Sequence, residues 1–539
     1  MPRIFATLLL ALALWPLMAV GAFSQGGYGT TRPNIVLIVA DDLGFSDLGC
    51  YGSEIFTPHI DRLAKDGVRF TQFYNCGRGC PSRAALLTGL YPHETGMGHM
   101  TTDYRRPGYR GNLNKECATL AELLGKASYQ TLMCGKWHLT PHIGPQGPKH
   151  TWPLQRGFEK FYGTIHGAGS YFDPATLTRD NQFTRRPPGE YYYTDAISEQ
   201  AAGFIEQASR AGKPFFLYVA YTAPHWPLHA PEQAVSRYEP TYAAGWDQIR
   251  MDRFKRMRGL GILDAQCSLS PRDPRVRPWS QNSYKRWQQR RMAVYAAQVA
   301  LLDQGVGRIV EKLGQVGAEQ NTLVMFLSDN GGCAEEVADT WKGDHIPRKT
   351  YAGSFVQVGN SPSVMPGPED TYQSYGLAWA NVSNTPFKLY KHFAHEGGIA
   401  TPLVVRWPAD IRSTGQRVRE VGHVIDIVPT CLELAKMPYP SIFNGYNLRP
   451  LSGESLVPVL RGQGRRGTTY FWEHEGNRAV REGKWKLVAS CGNAWELYNM
   501  EADRTEMNNL ARQYPAMVET LEKLYNAWAK RTNVEPWRQ

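Results

Sequence analysis

The chain has 539 residues, of which 42% are hydrophobic, 12% aromatic and 20% charged, and its formal net charge at pH 7 is +11. The composition is ordinary for a globular protein with a large core, and nine Cys without metal-type spacing exclude a disulfide scaffold. The positive charge favours an acidic substrate, and we expect no nucleic-acid partner.

The N-terminal residues have the pattern of a secretory signal peptide. Arg3 precedes an apolar run over residues 4–20, and the small residues Gly21 and Ala22 follow it. We therefore predict a signal peptide over residues 1–22 and a secreted or periplasmic protein, with no stable membrane insertion after cleavage. The alternative is an uncleaved anchor, because the apolar run approaches the length that spans a bilayer.

Strand and helix patterns alternate over most of the chain. Two apolar, β-branched runs, 34–40 and 322–327, are typical of strands buried on both faces of a sheet. The alternation over residues 31–437 predicts a large α/β domain with a mostly parallel central sheet flanked by helices. The other predicted elements are strands 215–219 and 402–405, helices 120–126, 193–208 and 291–313, and two loop-like insertions, 238–283 and 342–381, which either shape a pocket or form inert surface.

The pattern changes after residue 437. Short alternating runs separated by turn signals predict strands at 470–472, 478–481 and 485–488, and an amphipathic helix follows near 517–529. We therefore predict a smaller C-terminal α+β domain over residues 438–539, in which antiparallel strands are closed by a helix.

Acidic and amide side chains follow the two buried strands where each strand ends. Asp41 and Asp42 come after the first strand, and Asp329 and Asn330 come after the second. In open α/β sheets this edge is where ligands bind. Three carboxylates and an amide oxygen suit a hard cation, calcium or magnesium. The alternative for either pair alone is a helix cap.

The segment over residues 79–89 is the most informative in the chain. Cys80-Pro81-Ser82-Arg83, followed by Leu87-Thr88-Gly89, resembles the signature of the type I sulfatases, Cys-x-Pro-Ser-Arg and then Leu-Thr-Gly. In that family the leading Cys is oxidised to formylglycine. The resemblance is to bacterial arylsulfatase-like members of the alkaline-phosphatase-like superfamily, and it extends over residues 31–530. The further matching blocks are Gly135-Lys136-Trp137-His138-Leu139, Ala223-Pro224-His225-Trp226-Pro227, Asp329-Asn330-Gly331, Lys391 before Glu396-Gly397-Gly398, and residues 471–478.

The resemblance implies calcium-dependent hydrolysis of sulfate monoesters, aryl or carbohydrate, with one Ca²⁺ ion. His474, in the predicted C-terminal domain, is implied to bind the substrate. The alternative is that His474 and Glu473 merely hold two strands together. The implied metal ligands are Asp41, Asp42, residue 79 (here Gly79), Asp329 and Asn330, and the implied substrate-binding residues are Lys136, His225, Lys391 and His474.

The resemblance also assigns catalytic roles. Lys136 and Lys391 would neutralise the sulfate oxygens, and Arg83 would hold the nucleophile and the metal-site carboxylates in place. His138 would assist the hydrated aldehyde, and His225 would protonate the leaving alcohol oxygen. Alone, each Lys is equally typical of a solvated surface and each His of a hydrogen-bonded loop, so the joint order of the blocks supports these roles.

Position 79 departs from the family signature, which has its nucleophile two residues before Pro81. Gly79 has no Cβ, so it can neither be oxidised to an aldehyde nor provide a metal-bound hydroxyl. Cys80 is one position out of register, and we expect its side chain to point away from the metal. Three explanations are open: a formylglycine printed as Gly, a Cys→Gly substitution, or natural loss of the nucleophile.

Three functions therefore compete. The first is a sulfatase whose turnover depends on residue 79, and which needs a formylglycine-generating or sulfatase-maturating enzyme if residue 79 is Cys in the native protein. The second is an inactive protein that binds sulfated glycans. The third is a phosphoester or phosphonate hydrolase of the same superfamily; the sulfatase signature and the single metal set argue against it.

Overall fold

The structure, a computed structural model, describes residues 32–537 apart from residues 413 and 466. The predicted signal peptide over residues 1–22 lies outside the described residues. Within the described part of the chain, no helix combines the length and the apolar character that a membrane span requires.

Nineteen strands form one large sheet and three smaller ones within the described ranges. Several coincide with predicted runs, and the two buried strands end directly before the acidic pairs. The strands are β1 (Asn34–Ala40), β2 (Val68–Tyr74), β3 (Gln130–Lys136), β4 (Lys160–Thr164), β5 (Leu177–Arg179), β6 (Gln182–Phe183), β7 (Phe215–Ala220), β8 (Thr322–Ser328), β9 (Gln357–Val358), β10 (Thr371–Tyr372), β11 (Ala400–Arg406), β12 (Gln416–Val418), β13 (Gly422–His423), β14 (Ile442–Phe443), β15 (Tyr446–Asn447), β16 (Tyr470–His474), β17 (Asn477–Glu482), β18 (Trp485–Ala489) and β19 (Glu496–Asn499).

Thirteen α-helices accompany these strands in the same ranges. The three predicted helices of the large domain are all present, and the third of them is longer than its apolar pattern indicates. The helices are α1 (Pro58–Asp66), α2 (Gly79–Thr88), α3 (Leu120–Lys126), α4 (Tyr193–Ser209), α5 (Glu232–Val235), α6 (Glu239–Tyr242), α7 (Gly245–Gly259), α8 (Lys285–Gln315), α9 (Gly376–Ser383), α10 (Glu396–Ile399), α11 (Ile427–Leu434), α12 (Val457–Leu460) and α13 (Pro515–Thr532).

The large sheet has the strand order β12-β2-β11-β8-β1-β7-β3-β4-β5-β6, and β13 also pairs with β2. At its centre β1 runs parallel to both β7 and β8, with Val36 opposite Leu217 on one side and Val324 on the other. β3 continues the parallel order beyond β7. The carboxyl ends of these four strands therefore lie at one edge, and the predicted fold class, α/β with a mostly parallel sheet, is confirmed.

The smaller C-terminal sheet has the order β16-β17-β18-β19 and is antiparallel throughout, and α13 packs against β17 and β18. This agrees with the predicted C-terminal architecture. Lys486, fully buried on β18, lies 2.9 Å from the Glu396 carboxylate of α10 and 2.8 Å from that of Glu506. The boundary between residues 437 and 438 stays a prediction.

One expectation was wrong: the stretch 238–283, predicted as loop, contains α7. The helix buries Trp246, Ile249, Phe254 and Met257 together with Arg253, so charged positions interrupt the apolar pattern on its inner face. This mixture hides the helical period, because an amphipathic helix is recognised by a separate apolar face.

The burial of Arg253 leads to a prediction about stability. Its guanidinium donates to Asp47 Oδ1 at 2.5 Å and to Glu54 Oε1 at 2.7 Å. Arg253→Ala is expected to lower the free energy of unfolding by about 3–5 kcal/mol, because Asp47 loses its cation and Glu54 keeps only Arg256. Lys255→Ala, on the exposed side of α7, is the control and should change it by less than about 0.5 kcal/mol. Urea denaturation measures both, and equal midpoints would contradict this interpretation.

Candidate active site

Charged and imidazole side chains meet at the carboxyl edge of the four central strands. Asp41 follows β1, Asp329 follows β8, Lys136 is the last residue of β3, and His225 lies in the turn after β7. All four residues are buried. Because the strands are parallel neighbours, the sequence brings these distant residues together through sheet register alone.

Helix α2 begins next to this cluster and contributes a permanently charged arginine side chain to it. Arg83, one turn into the helix, is fully buried, and its Nη2 lies 2.8 Å from Asp329 Oδ2 and 3.7 Å from Asp41 Oδ1. Burial opposes the charge, but Asp329, Tyr218 and Asp41 together outweigh that effect and raise the pKa of Arg83 above its usual value. The guanidinium therefore stays charged and holds two carboxylates from different strands in place.

The oxygen donors around Asp42 match what a hard cation requires. Asp42 Oδ1 accepts a hydrogen bond of 2.6 Å from Asn330 Nδ2, while Asn330 Oδ1 is buried without a hydrogen-bond partner among the described residues. Ligand atoms of Asp41, Asp42 and His225 lie within 4.8 Å of one another. Burial raises the pKa of Asp41 to about 8, although Lys136 opposes the shift. Crowded carboxylates beside an unpaired amide oxygen fit a bound divalent cation.

Residue 79 is aimed at the same cluster. A Cβ built on Gly79 would lie 3.1 Å from Asp329 Oδ2 and 3.8 Å from Asn330 Oδ1. Gly79 is the first residue of α2 and is not among the glycines with positive φ, so its backbone suits any L-residue. Cys80 is buried, its thiol pKa is raised to about 12 by that burial, and it does not line the cavity described below.

Two lysines face the carboxylates from opposite sides. Lys136 Nζ lies 2.5 Å from Asp41 Oδ2, and Lys391 Nζ lies 2.9 Å from Asp42 Oδ2. Lys391 Nζ is also 3.5 Å from His225 Nε2. Burial lowers the pKa of His225 to about 3, and its Nδ1–H donates to the Trp226 carbonyl at 2.6 Å. The neutral ring therefore presents Nε2 to the cavity.

His138 lines the cavity beyond the end of β3. Its backbone has φ of +54°, and its ring stacks on His166 at a centroid distance of 5.8 Å. Burial holds the pKa of His138 well below its usual value, and Lys136 adds to this effect. Gly167 makes room for the ring, since a Cβ there would lie 2.0 Å from His138 Cε1.

These side chains surround a cavity of about 240 Å³, and several of its residues were not predicted. Glu335 accepts from Trp226 Nε1 at 2.9 Å and lies 3.2 Å from Arg78 Nη1. His345 comes from the predicted insertion 342–381 and stacks on His166 at 4.7 Å. No short motif marks them, because each reaches the cavity from a separate loop. The unpredicted lining residues include Arg78, Met100, Thr101, Trp226, Glu335 and His345.

The structure does not bring His474 to this cavity. His474 stacks on His99 at 5.4 Å, beyond Arg78 and His392. Its neighbour Glu473 accepts from His93 Nε2 at 2.7 Å and so ties β16 to the loop after α2. The substrate-binding role of His474 stays a prediction, and Glu473 has a structural partner.

Comparisons with known proteins show which family this chain resembles. Residues 33–437 match the Sulfatase family, and residues 387–532 match the family described as N-sulphoglucosamine sulphohydrolase, C-terminal. An uncharacterized sulfatase of Schizosaccharomyces pombe is 34% identical over 93% of this chain and 94% of its own length. The Klebsiella aerogenes arylsulfatase is 32% identical over 79% and 92%, respectively.

A solved structure has a similar fold. The crystal structure of Ps i-CgsB in complex with k-i-k-neocarrahexaose superposes with a TM-score of 0.67 and 25% identity, covering 94% of this chain and 95% of that one. The match of the family over most of the chain and the similarity to whole sulfatases lead to one conclusion: this chain belongs to the sulfatase family of sulfuric ester hydrolases.

Proposed function

We propose that the cavity binds one Ca²⁺ ion and a sulfate monoester, aryl or carbohydrate, and that hydrolysis depends on a formylglycine at position 79. The observation that carries this proposal is the direction of residue 79: its Cβ position faces Asp329 and Asn330, beside the carboxylates and both lysines. A nucleophile there would stand between a cation and the groups that hold sulfate.

The charge of the cavity supports a cation in addition to the anionic substrate. Three carboxylates and three basic side chains line it, and the Arg83–Asp329 ion pair lies against Asp41, so the protein side chains alone offer little net attraction for an anion. A divalent cation would shift the balance to a net positive charge that a sulfate ester can neutralise. The carboxylates are those of Asp41, Asp42, Asp329 and Glu335, and the basic side chains are those of Arg78, Arg83, Lys136 and Lys391.

The choice of calcium follows from the donor atoms. Asp41, Asp42, Asp329 and Asn330 offer oxygen, which calcium and magnesium prefer, and calcium tolerates irregular geometry better than magnesium does. When bound, the ion would polarise the sulfate oxygens. Arg83 would keep Asp41 and Asp329 in position for it.

The remaining side chains have separate tasks at the ester. Lys136 and Lys391 would neutralise the sulfate oxygens. His225 Nε2 is the atom suited to carry a proton to the leaving oxygen, because Nδ1 is already committed to the Trp226 carbonyl. Burial keeps this ring neutral, and a bound anion would raise its pKa toward the protonated form.

Gly79 cannot be converted to the formylglycine that the family uses. That group supplies a nucleophilic hydroxyl, and glycine has no side-chain atom from which to form it. The chain with Gly79 is therefore proposed to bind sulfate esters without turnover, as a sulfated-glycan-binding protein would. A matched chain carrying Gly79→Cys would need a formylglycine-generating or sulfatase-maturating enzyme. Separately, the predicted signal peptide over residues 1–22 supports secretion or periplasmic export.

Binding can be tested on the chain with Gly79. In the presence of Ca²⁺, isothermal titration with an aryl sulfate is expected to give saturable binding, and Lys391→Met should weaken it about 10- to 100-fold, since one charge-assisted contact is lost. Lys388→Met is the control, because Lys388 contacts Tyr498 instead and should leave the affinity unchanged. No binding, or equal binding by both variants, would argue against the proposal.

A further inference from the structure

A second group of ligating side chains lies outside the catalytic cavity, around Glu475 in the turn between β16 and β17. His99 Nε2 lies 2.9 Å from Glu475 Oε1, and His392 Nδ1 lies 2.8 Å from Glu475 Oε2. His474 Nε2 lies 3.6 Å from Glu475 Oε1. One carboxylate is thus surrounded by three imidazoles.

His474 is the member that points to a ligand. Its side chain is only 3% exposed, and neither ring nitrogen has a hydrogen-bond partner among the described residues. His99 Nδ1 is also unpartnered there. A buried polar atom without a partner costs about 1–3 kcal/mol, so a bound ligand that satisfies it is favoured.

The local backbone and packing hold these side chains together. Glu475 has φ of +51° and is followed by Gly476 with φ of +77°, which forms the tight turn that projects the carboxylate. His99 is packed between His474 and the Trp537 ring, whose centroid is 4.7 Å away. Ligand atoms of His99, His474 and Glu475 all lie within 4.8 Å of one another.

The group is reached from solvent. His392, Glu475 and Trp537 line a separate cavity of about 720 Å³, which also contacts Lys391 of the catalytic cavity. An ion can therefore reach the Glu475 carboxylate through this second cavity.

We propose that His99, His474 and Glu475 bind one transition-metal cation of the zinc type, at a site separate from the Asp41–Asp42 oxygen cluster. Imidazole nitrogen with a carboxylate oxygen is a donor set that zinc prefers and that calcium does not. His392 then acts as the outer partner that orients the Glu475 carboxylate. The ion would join the loop after α2 to the C-terminal sheet, because His99 and His474 belong to these two parts.

The experiment uses the full chain with Gly79 in saturating Ca²⁺, to which Zn²⁺ is added in a calorimeter. One equivalent is expected to bind, with a rise in the unfolding temperature that Ca²⁺ alone does not give. His474→Ala and His99→Gln should each weaken the Zn²⁺ affinity about 100-fold or more. Zn²⁺ binding that neither variant changes would overturn the proposal.

Two further variants separate this site from the alternatives. Asp42→Asn should keep the Zn²⁺ site intact, which distinguishes it from the oxygen cluster. Cys491→Ser should also keep it, although Cys491 is exposed and lies beside Gly476. If the His variants do not fold, X-ray absorption of the Zn²⁺-loaded parent chain decides: two imidazoles in the coordination shell support the site, and none overturns it.

Discussion

Gly79→Cys, produced together with a formylglycine-generating enzyme, is expected to raise turnover of an aryl sulfate by about 10⁴- to 10⁶-fold over the parent chain. Loss of a nucleophile in a preorganised site costs on the order of 10⁶-fold in other hydrolases, and Lys136, His138, His225 and Lys391 already line the cavity here. The gain requires little rearrangement, since a Cβ at residue 79 needs Asp329 to move by only a few tenths of an ångström.

Gly79→Ala is the matched control, because it adds the Cβ without an oxidisable sulfur and should remain inactive. A second control, Cys80→Ala in the Gly79→Cys chain, should keep the restored activity, since Cys80 does not line the cavity. Mass spectrometry of the peptide containing residue 79 reports conversion to formylglycine directly. A fully converted chain without activity would disprove the proposed hydrolysis while leaving ligand binding as a separate question.

Asp42→Asn is expected to weaken Ca²⁺ binding by about 100-fold or more, measured by isothermal titration. Residues outside the first coordination sphere already contribute about 10- to 100-fold to metal affinity, and Asp42 would be a direct ligand. Asparagine is the appropriate replacement, because Asp42 has φ of +63° and Asn tolerates this left-handed backbone better than most other non-glycine residues do.

The same substitution should remove most of the thermal stabilisation that Ca²⁺ gives to the parent chain. Asp344→Asn is a useful comparison, because Asp344 is an exposed carboxylate near the cavity wall and not a proposed ligand. Unchanged Ca²⁺ affinity in Asp42→Asn would contradict the metal assignment. An equal loss in both variants would indicate a general charge effect instead.

The parts of the fold that sequence predicts well have a strong local cause. β1 and β8 are apolar over most of their length and buried on both faces, so their ends, and hence Asp41 and Asp329, could be located closely. Arg83, Lys136 and His225 came from family blocks; sheet register explains why Lys136 and His225 meet, and helix α2 brings Arg83 to them.

The parts that were missed depend on long-range contacts. Glu335 meets Arg78 across 257 positions of sequence, and nothing near either residue marks the pair. Helix α7 was hidden by buried arginines such as Arg253, which meets its carboxylate partners only in the folded chain. His474 was predicted only to belong to the C-terminal domain, and its position away from the cavity depends on how the C-terminal sheet packs, which no local pattern encodes.

The ordinary helical backbone at residue 79 has a consequence for inheritance. Glycine codons GGT and GGC differ from the cysteine codons TGT and TGC at one base. Because the start of α2 accepts a side chain without rebuilding, no compensating change elsewhere in the gene has to accompany that base. Where residue 79 is encoded by GGT or GGC, one point mutation therefore gives a cysteine at this position, and the proposed loss of turnover stays reversible for as long as the surrounding ligands are retained.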